Sequence, residues 1–365
     1  RPGNVYGPGD DVISRLLTMV RTLPVVPVIG GGDQQFQPIW VDDLSRAIGE
    51  SVRRTDLHGR VLELAGEERT SIDELLDRLS EITGRDPARV PIPNFLASAG
   101  VNMAAILGVK IPLTESQLIM LSEGNWIRTP GNNALTGVFQ IKPTPLDSAL
   151  RSLSDSLPEQ MPGEGVGLFK RRRYWIDIEG SRLTSEQLFA LVRDRFGEIV
   201  PLTMDLGAEP DTPKILEKGS TITMSLPVRG NVQIRVERLT KNEAVLVTLA
   251  GHPLAGAVRF LSEQIADSLR FQVQLYDRPA NLVDWFLMRA VGEKVQAKSW
   301  ETMLGTLVTE SGGTCASGIQ HEEEILDQEK ADRVEAWLAD LILARKREHR
   351  STPTQPAHAG ADIRP

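Results

Sequence analysis

Arg1-Pro2-Gly3-Asn4-Val5-Tyr6-Gly7-Pro8-Gly9-Asp10 opens the chain, and its reading decides the fold of the first half. The string is a strand end breaking into a loop fixed by proline and glycine. Loops at the carboxyl ends of parallel strands are where α/β sheets bind ligands, so the string marks a candidate site. A plain tight turn is the other reading. The chain begins inside this strand without an initiator Met, and the expectation is a protein whose N-terminal part lies outside this sequence.

Working outward, residues 1–157 mix α and β signals. Val25 to Ile29 and residues 61–64 are short apolar runs bounded by Gly, Pro or charge, the pattern of buried strands. Between them Asp42 or Asp43 is placed to cap a helix carrying Leu44, Ala47, Ile48 and Val52 on one face. Ser71 and Glu74 form a capping box ahead of Leu75, Leu76, Leu79 and Ile82, and Gly84 ends that helix. Residues 94–108 and 114–123 read as two further helices, and the apolar stretch 96–113 reads as core or surface-apposed rather than membrane-spanning.

Residues 158–172 are expected to be a linker, with Pro158, Pro162, Gly163, Gly165 and Gly167 opposing regular structure. The basic run from Lys170 to Arg173 has two readings, a solvated domain edge or a contact for acidic lipid or phosphate. Residues 173–312 change pattern. Tyr174 to Ile178 is a strand, and Thr184 with Gln187 caps the helix after it. Ile222, Met224 and Leu226 then share one face. Val232, Ile234 and Val236 alternate with Gln233, Arg235 and Glu237, and residues 269–275 alternate likewise. Val245, Val247 and Leu249 add another run, and residues 258–261 one more. One apolar and one polar face per strand predicts an antiparallel sheet covered on one side. The expected cover is one long helix over residues 281–309 through Val283, Leu287, Val291, Val295 and Leu304. Residues 313–365 read as a tail: acidic from His321 to Glu324, helical over 327–350 through Val334, Trp337, Leu338, Leu341 and Ile342, then disordered.

Composition removes several classes. Among 365 residues, 41 Lys and Arg against 49 Asp and Glu leave a net charge of -8, which argues against a general nucleic-acid binder. The single Cys315 excludes an internal disulfide and a cysteine-based zinc site. The five histidines lack metal-ligand spacing, so no metal is expected. With no signal peptide recognisable, the expected location is cytoplasmic, with peripheral membrane contact as a further reading.

The opening string resembles the loop after the sixth strand in extended short-chain dehydrogenases/reductases. Residues 36–47, Phe-Gln-Pro-Ile-Trp-Val-Asp-Asp-Leu-Ser-Arg-Ala, resemble that family's later strand-to-helix segment, and residues 61–66 the strand beyond it. The likeness spans residues 1–155. It is greatest to the atypical branch holding the NAD(P)-binding accessory subunit of respiratory complex I, through residues 125–146. Residues 173–310 resemble the START-like helix-grip fold through Gly251-His252-Pro253-Leu254-Ala255-Gly256, residues 271–276, Arg278-Pro279 and the long helix. The implied fold is an α/β Rossmann-type remnant without its N-terminal strands, followed by an α+β helix-grip domain with an antiparallel sheet and a long C-terminal helix.

The resemblance implies NAD or NADP as cofactor. It sets the backbone of Pro2, Gly3, Asn4 and Val5 beside the nicotinamide, and Asn4, Tyr6 and Arg128 toward the substrate, where a surface role for Arg128 stands equally. The family's glycine fingerprint and its Tyr-x-x-x-Lys pair are not in this sequence: the fourth residues beyond Tyr6, Tyr174 and Tyr276 are Asp10, Ile178 and Ala280. No catalytic residue is therefore expected in this chain. The helix-grip likeness implies a cavity for an apolar ligand, and a filled core is the competing reading. His252 and Trp285 are the weak ligand candidates there, against a hydrogen-bonded turn and a core position. The expected function is an NAD(P)-binding, oxidoreductase- or epimerase-like protein, inactive as this chain alone, acting on an apolar or nucleotide-linked substrate. The alternatives are a non-enzymatic NAD(P)-binding assembly protein of a membrane complex, and a lipid or isoprenoid binder.

Overall fold

The computed structural model describes residues 1–29, 31–92, 125–129, 131–200, 205–210, 212–226, 230–287 and 293–351. The expected helices over 94–108 and 114–123, the apolar stretch 96–113 and the tail beyond 351 lie outside these residues.

The first half carries β1 (Val5–Tyr6), α1 (Ile13–Thr22), β2 (Val25–Ile29), β3 (Ile39–Trp40) and α2 (Val41–Ser51). It continues with α3 (Ile72–Thr83), β4 (Ala88–Ile92), α4 (Ala134–Gly137) and α5 (Leu146–Ser154). β1 pairs with β3 and β2 with β4 in parallel, Pro2 is bridged parallel to Leu64, and Phe36 is bridged antiparallel to Thr70. The expected strand at 61–64 is thus reduced to one bridge, closed by Gly3 N–H donating to the Leu64 carbonyl at 2.7 Å. Just beyond it the Ala65 carbonyl accepts from Asn133 Nδ2 at 2.8 Å, and the chain bends at residues 67–68. Leu16, Leu17 and Val20 of α1 pack with Leu75, Leu76 and Leu79 of α3 and Leu150 and Leu153 of α5. Ser71 and Glu74 close their capping box, and Gly84 ends α3 in the left-handed region at φ 63°.

α2 departs from expectation at both its cap and its face. Neither Asp42 nor Asp43 caps it. Asp43 is buried and accepts instead from Thr144, at 2.7 Å from the backbone N–H and 3.0 Å from Oγ1. Ala47 is buried, but Ile48 and Val52 are 56% and 82% exposed. One side of this helix turns to solvent because α4 and the 139–141 segment cover only Leu44 and Ala47.

The second half is one antiparallel sheet of eight strands in the order β12-β5-β11-β10-β9-β8-β7-β6. Its elements run β5 (Lys170–Glu179), α6 (Ser185–Asp194), α7 (Phe196–Ile199), β6 (Asp205–Leu206), β7 (Thr221–Leu226) and β8 (Gly230–Leu239). β9 (Glu243–Thr248), β10 (Leu254–Ile265), β11 (Ser268–Pro279), α8 (Leu282–Leu287), α9 (Glu293–Ser311), β12 (Gln320–Ile325) and α10 (Gln328–Ser351) complete it. Thr184 and Gln187 close the capping box of α6. One face of the sheet packs on α6, α7 and α9 through Phe189, Phe196, Trp300, Met303, Leu304 and Leu307. The cover expected as one helix is described as two, α8 and α9. Leu304 is buried as expected, Val283 is exposed, and the side chains of Leu287, Val291 and Val295 are outside the described residues.

The sheet is not covered on one side only. β9 is buried along its whole length: Ala244 and Leu246 face α9's side, while Val245 and Val247 meet Leu338 and Ile342 of α10. Residues 320–351, expected as a tail, supply the edge strand and this second cover. Residues 158–169 lie down on the sheet as well, with Glu159 bridged to Leu249 and Gln160 N–H donating to the Thr248 carbonyl at 2.7 Å. Lys170 to Arg173 form neither a loose solvated edge nor an open anion contact, for they are the first residues of β5 and pair with β12, Lys170 opposite Ile325 and Arg171 to Arg173 opposite Glu324 to Glu322.

The polar face of β8 is buried against the first half. Arg21 of α1 and Glu209 are 2% and 3% exposed, joined at 2.8 Å by both Nε and Nη2 of the arginine. Arg21 also donates to Gln233 Oε1 at 2.8 Å and to Ser154 Oγ at 2.6 Å. Removing one member of such a pair strands the other charge in a dry site. Arg21→Met is expected to lower stability by about 3–5 kcal/mol, read in urea as a lower midpoint at unchanged slope. Adding Glu209→Gln should recover part of the loss. A cost below about 1 kcal/mol would place the pair among ordinary surface bridges and contradict the burial argument.

Candidate functional site

The residues just before β1 and β3, the segment after Leu64 and residues 125–128 converge on one cluster of carboxamides. Asn4 Oδ1 accepts from Asn125 Nδ2 at 2.7 Å, and the Asn4 carbonyl accepts from Ile39 N–H at 2.8 Å. Gln37 donates twice, from its backbone N–H to the Asn125 carbonyl and from Nε2 to the Gly66 carbonyl, each at 2.8 Å. Its Oε1 accepts from Ile127 N–H at 3.3 Å. Gly3 is required: a Cβ there would stand 2.5 Å from the Gln37 carbonyl oxygen. Pro2 holds the bridge to Leu64, and Val5 is exposed.

At the rim the Trp126 ring lies under two guanidinium groups, Arg69 at 5.5 Å and Arg128 at 5.9 Å from its centroid. Arg69 also donates to the Ile127 carbonyl at 3.2 Å, which ties its loop to the 125–128 segment. A guanidinium stacked on an aromatic face keeps its N–H edge free for a planar or tetrahedral anion. The cluster therefore combines amide donors and acceptors with two cations, a set that suits a polar, anionic ligand. Among the described residues, no group of three or more His, Cys, Asp or Glu is arranged to hold a metal.

Asp10 ties this loop to the fold. Its carboxylate accepts from the N–H groups of Val12, Ile13 and Ser14 at 2.9, 2.6 and 3.0 Å and from Ser14 Oγ at 2.6 Å. It thereby satisfies the open amides at the start of α1.

Of the residues singled out in the sequence, Pro2 to Val5 and Arg128 border this cluster. Tyr6 follows them into the core, its ring 5.3 Å from that of Trp40 in an edge-on contact. His252 is buried in the turn between β9 and β10, where Nδ1 accepts from Leu254 N–H at 3.0 Å and its carbonyl accepts from Gln160 Nε2 at 2.9 Å. Trp285 of α8 packs beside Gly167 and edge-on to Phe286 at 4.9 Å. Between α9 and the sheet, Phe260 meets Phe196 at 5.7 Å and Trp300 at 5.8 Å, so side chains fill that position. Gln37, Arg69, Asn125 and Trp126 were not singled out. Gln37 and Asn125-Trp126 lie in the segments that carry the family resemblance, which was the available signal.

Each of the three tyrosines has its pKa raised above the ordinary 10.0, first by burial: Tyr6 with Asp43 and Glu68 adding to it, and Tyr174 and Tyr276 against nearby arginines. The folded state favours the neutral phenol. Its stabilising effect is thus complete below the unfolded pKa and lost as pH rises toward the folded one. Phenolate absorbance should therefore show no separate step near pH 10.0 and should rise together with alkaline unfolding. A native-state step near that pH would contradict the burial of these rings.

No family model matches this chain. It is similar to the mitochondrial NADH dehydrogenase [ubiquinone] 1 alpha subcomplex subunit 9 of Arabidopsis thaliana, 26% identical over 132 residues, which is 35% of this chain and 33% of that protein. The chain thus spans about a third of that relative's length. Among solved structures it is similar to MoeE5 in complex with UDP-glucose and NAD, at 22% identity and TM-score 0.30, covering 42% of this chain and 44% of that one. The UDP-glucuronic acid 4-epimerase of Bacillus cereus in complex with NAD shares 18% identity at TM-score 0.30, covering 42% of each chain. The UDP-glucose 4-epimerase of Thermotoga maritima shares 18% identity at TM-score 0.31, covering 42% of this chain and 43% of that one.

Proposed function

We propose that residues 1–157 form one wall of an NAD(P) and substrate site of the reductase or epimerase type. In this reading the backbone of Pro2 to Val5 lies beside the nicotinamide. Asn4 and Arg128 face the substrate side, Arg69 joins Arg128 as a second cation, and Tyr6, expected beside them, lies in the core against Trp40. The observation that carries the reading is the convergence of Gly3, Asn4, Gln37, Gly66 and Asn125 on one hydrogen-bonded cluster, rimmed by Arg69, Trp126 and Arg128. The printed name of the plant relative, an NADH dehydrogenase subunit, supports a nicotinamide cofactor. The substrate class proposed is apolar or nucleotide-linked, with the two guanidinium groups taking the anionic part.

A second reading is a non-enzymatic NAD(P)-binding assembly protein of a membrane complex, supported by the word subunit in that relative's name. NADPH oxidation by the whole protein favours the first reading, and binding without turnover the second.

One wall holds a dinucleotide weakly. Saturation-transfer NMR of this chain with NAD and NADPH is expected to show binding in the millimolar range, roughly -4 kcal/mol. UDP-glucose is expected to give a signal of similar strength, and Arg69→Ala with Arg128→Ala should abolish that signal while leaving the dinucleotide signal and the circular dichroism unchanged. Absence of a dinucleotide signal, or a UDP-glucose signal indifferent to both substitutions, would overturn the assignment.

A further inference from the structure

Two charge runs of opposite sign face each other at one edge of the sheet. In the antiparallel register of β12 on β5, Glu322 is opposite Arg173, Glu323 opposite Arg172 and Glu324 opposite Arg171. Arg173 binds Glu322, Arg171 binds Glu324 at 2.9 Å, and Lys170 binds Glu323 at 3.0 Å. Arg172 is buried and takes Asp277 of β11 at 2.5 Å, so it belongs to the sheet interior whatever covers the edge.

We propose that this edge of β5 is a docking site for an extended acidic peptide segment, and that β12 occupies it in cis as a releasable strap. β12 has no apolar anchor: its glutamates are largely solvent-facing, and its one aliphatic side chain, Ile325, is 56% exposed. It is held by backbone pairing, by one stacked contact of His321 on Tyr174 with ring centroids 6.3 Å apart, and by exposed ion pairs, each of which contributes little and is screened by salt. Its neighbours are fastened independently. Thr314 exchanges backbone hydrogen bonds with Glu179 on one side. On the other, Leu338 and Ile342 of α10 are buried, and Arg345 and Lys346 bind Glu159. Gly312, Gly313 and Gly318 lie in the connection before the strand, so β12 can leave while α10 stays.

Release leaves an unpaired strand edge and separates Lys170, Arg171 and Arg173 from Glu323, Glu324 and Glu322. Edge pairing supplies affinity, and a row of cations selects acidic side chains at the matching register. The partner that fits is an extended segment with consecutive carboxylates, the pattern that β12 itself presents.

Hydrogen exchange of the full chain tests the strap. In about 1 M salt, where the screening length is roughly 3 Å, amides of residues 320–325 should exchange about tenfold faster or more, while those of β10 and β11 stay unchanged. Exchange as slow as in β10 and β11, and indifferent to salt, would overturn the proposal. The docking edge is tested with a labelled peptide of sequence Gln-His-Glu-Glu-Glu-Ile. The full chain carrying Glu322→Lys, Glu323→Lys and Glu324→Lys should bind it about tenfold more tightly than the unsubstituted chain, with affinity falling as salt rises. The same positions changed to Gln serve if the Lys variant does not fold. No gain in a folded variant, or binding of anionic vesicles in preference to the peptide, would overturn the acidic-peptide assignment.

Discussion

β8 presents Asn231, Gln233, Arg235 and Glu237 on one face, and that face is buried. A strand with such side chains would ordinarily turn them to water. Buried, each needs a partner, because a charge left alone in a dry site costs several kcal/mol or more. The partners come from distant parts of the chain. Arg21, Ser154 and Glu209 serve the end near Gln233. Glu159, Arg345 and Lys346 serve the end near Arg235, with Arg235 on Glu159 at 2.8 Å and Arg345 on Glu237 at 2.6 Å. Burial opposes the Glu159 carboxylate, yet Lys346 and Arg235 hold its pKa below the ordinary value. Glu237 is the more buried carboxylate, and burial raises its pKa despite Arg345. This stripe fixes the first half, the 158–169 segment and α10 on the sheet together, since displacement of any one leaves an ion without its counterion.

That constraint reaches the candidate site through α1. The helix is gripped at its start by Asp10, in the loop that begins at Arg1, and near its end by Arg21 in the buried stripe. Its Leu17 and Val20 are packed between these points. The loop bearing Gly3 and Asn4 is therefore referenced to the second half by a rigid rod anchored at both ends. Precision at a binding site depends on such support. The second half thus has a structural role toward the carboxamide cluster that is independent of any ligand of its own.

The sequence was most legible where the signal is local. Ser71 with Glu74, Gly84, and Thr184 with Gln187 are decided within one helical turn, and all are realised. The alternation of β8 and β11 is likewise local, and it placed Val232, Ile234, Val236, Phe271 and Val273 in the core. It failed on what covers the other face, because polar residues read as solvent-facing unless distant partners are known. Arg235 and Glu159 are 76 positions apart, Arg21 and Glu209 188. At the site, the opening string was legible as a strand end. Asn125 was not, since its bond to Asn4 joins residues 121 positions apart. Asp43 shows the same limit within a helix: a carboxylate in the first turn reads as a cap, but Thr144 takes it.

The two sets of arginine–carboxylate pairs in this molecule are chemically alike and energetically different. Arg21 with Glu209 and Arg173 with Glu322 join the same groups, but the first pair is almost wholly out of water and the second is 33% and 43% exposed. In the dry pair neither charge has a substitute, so the partner is obligatory and the geometry is fixed. In the wet pair water and salt replace either partner at little cost, so the contact is exchangeable. Burial therefore decides which charged contacts act as fasteners and which as latches. The outermost strand of the sheet is held by the latter kind, and the body behind it by the former.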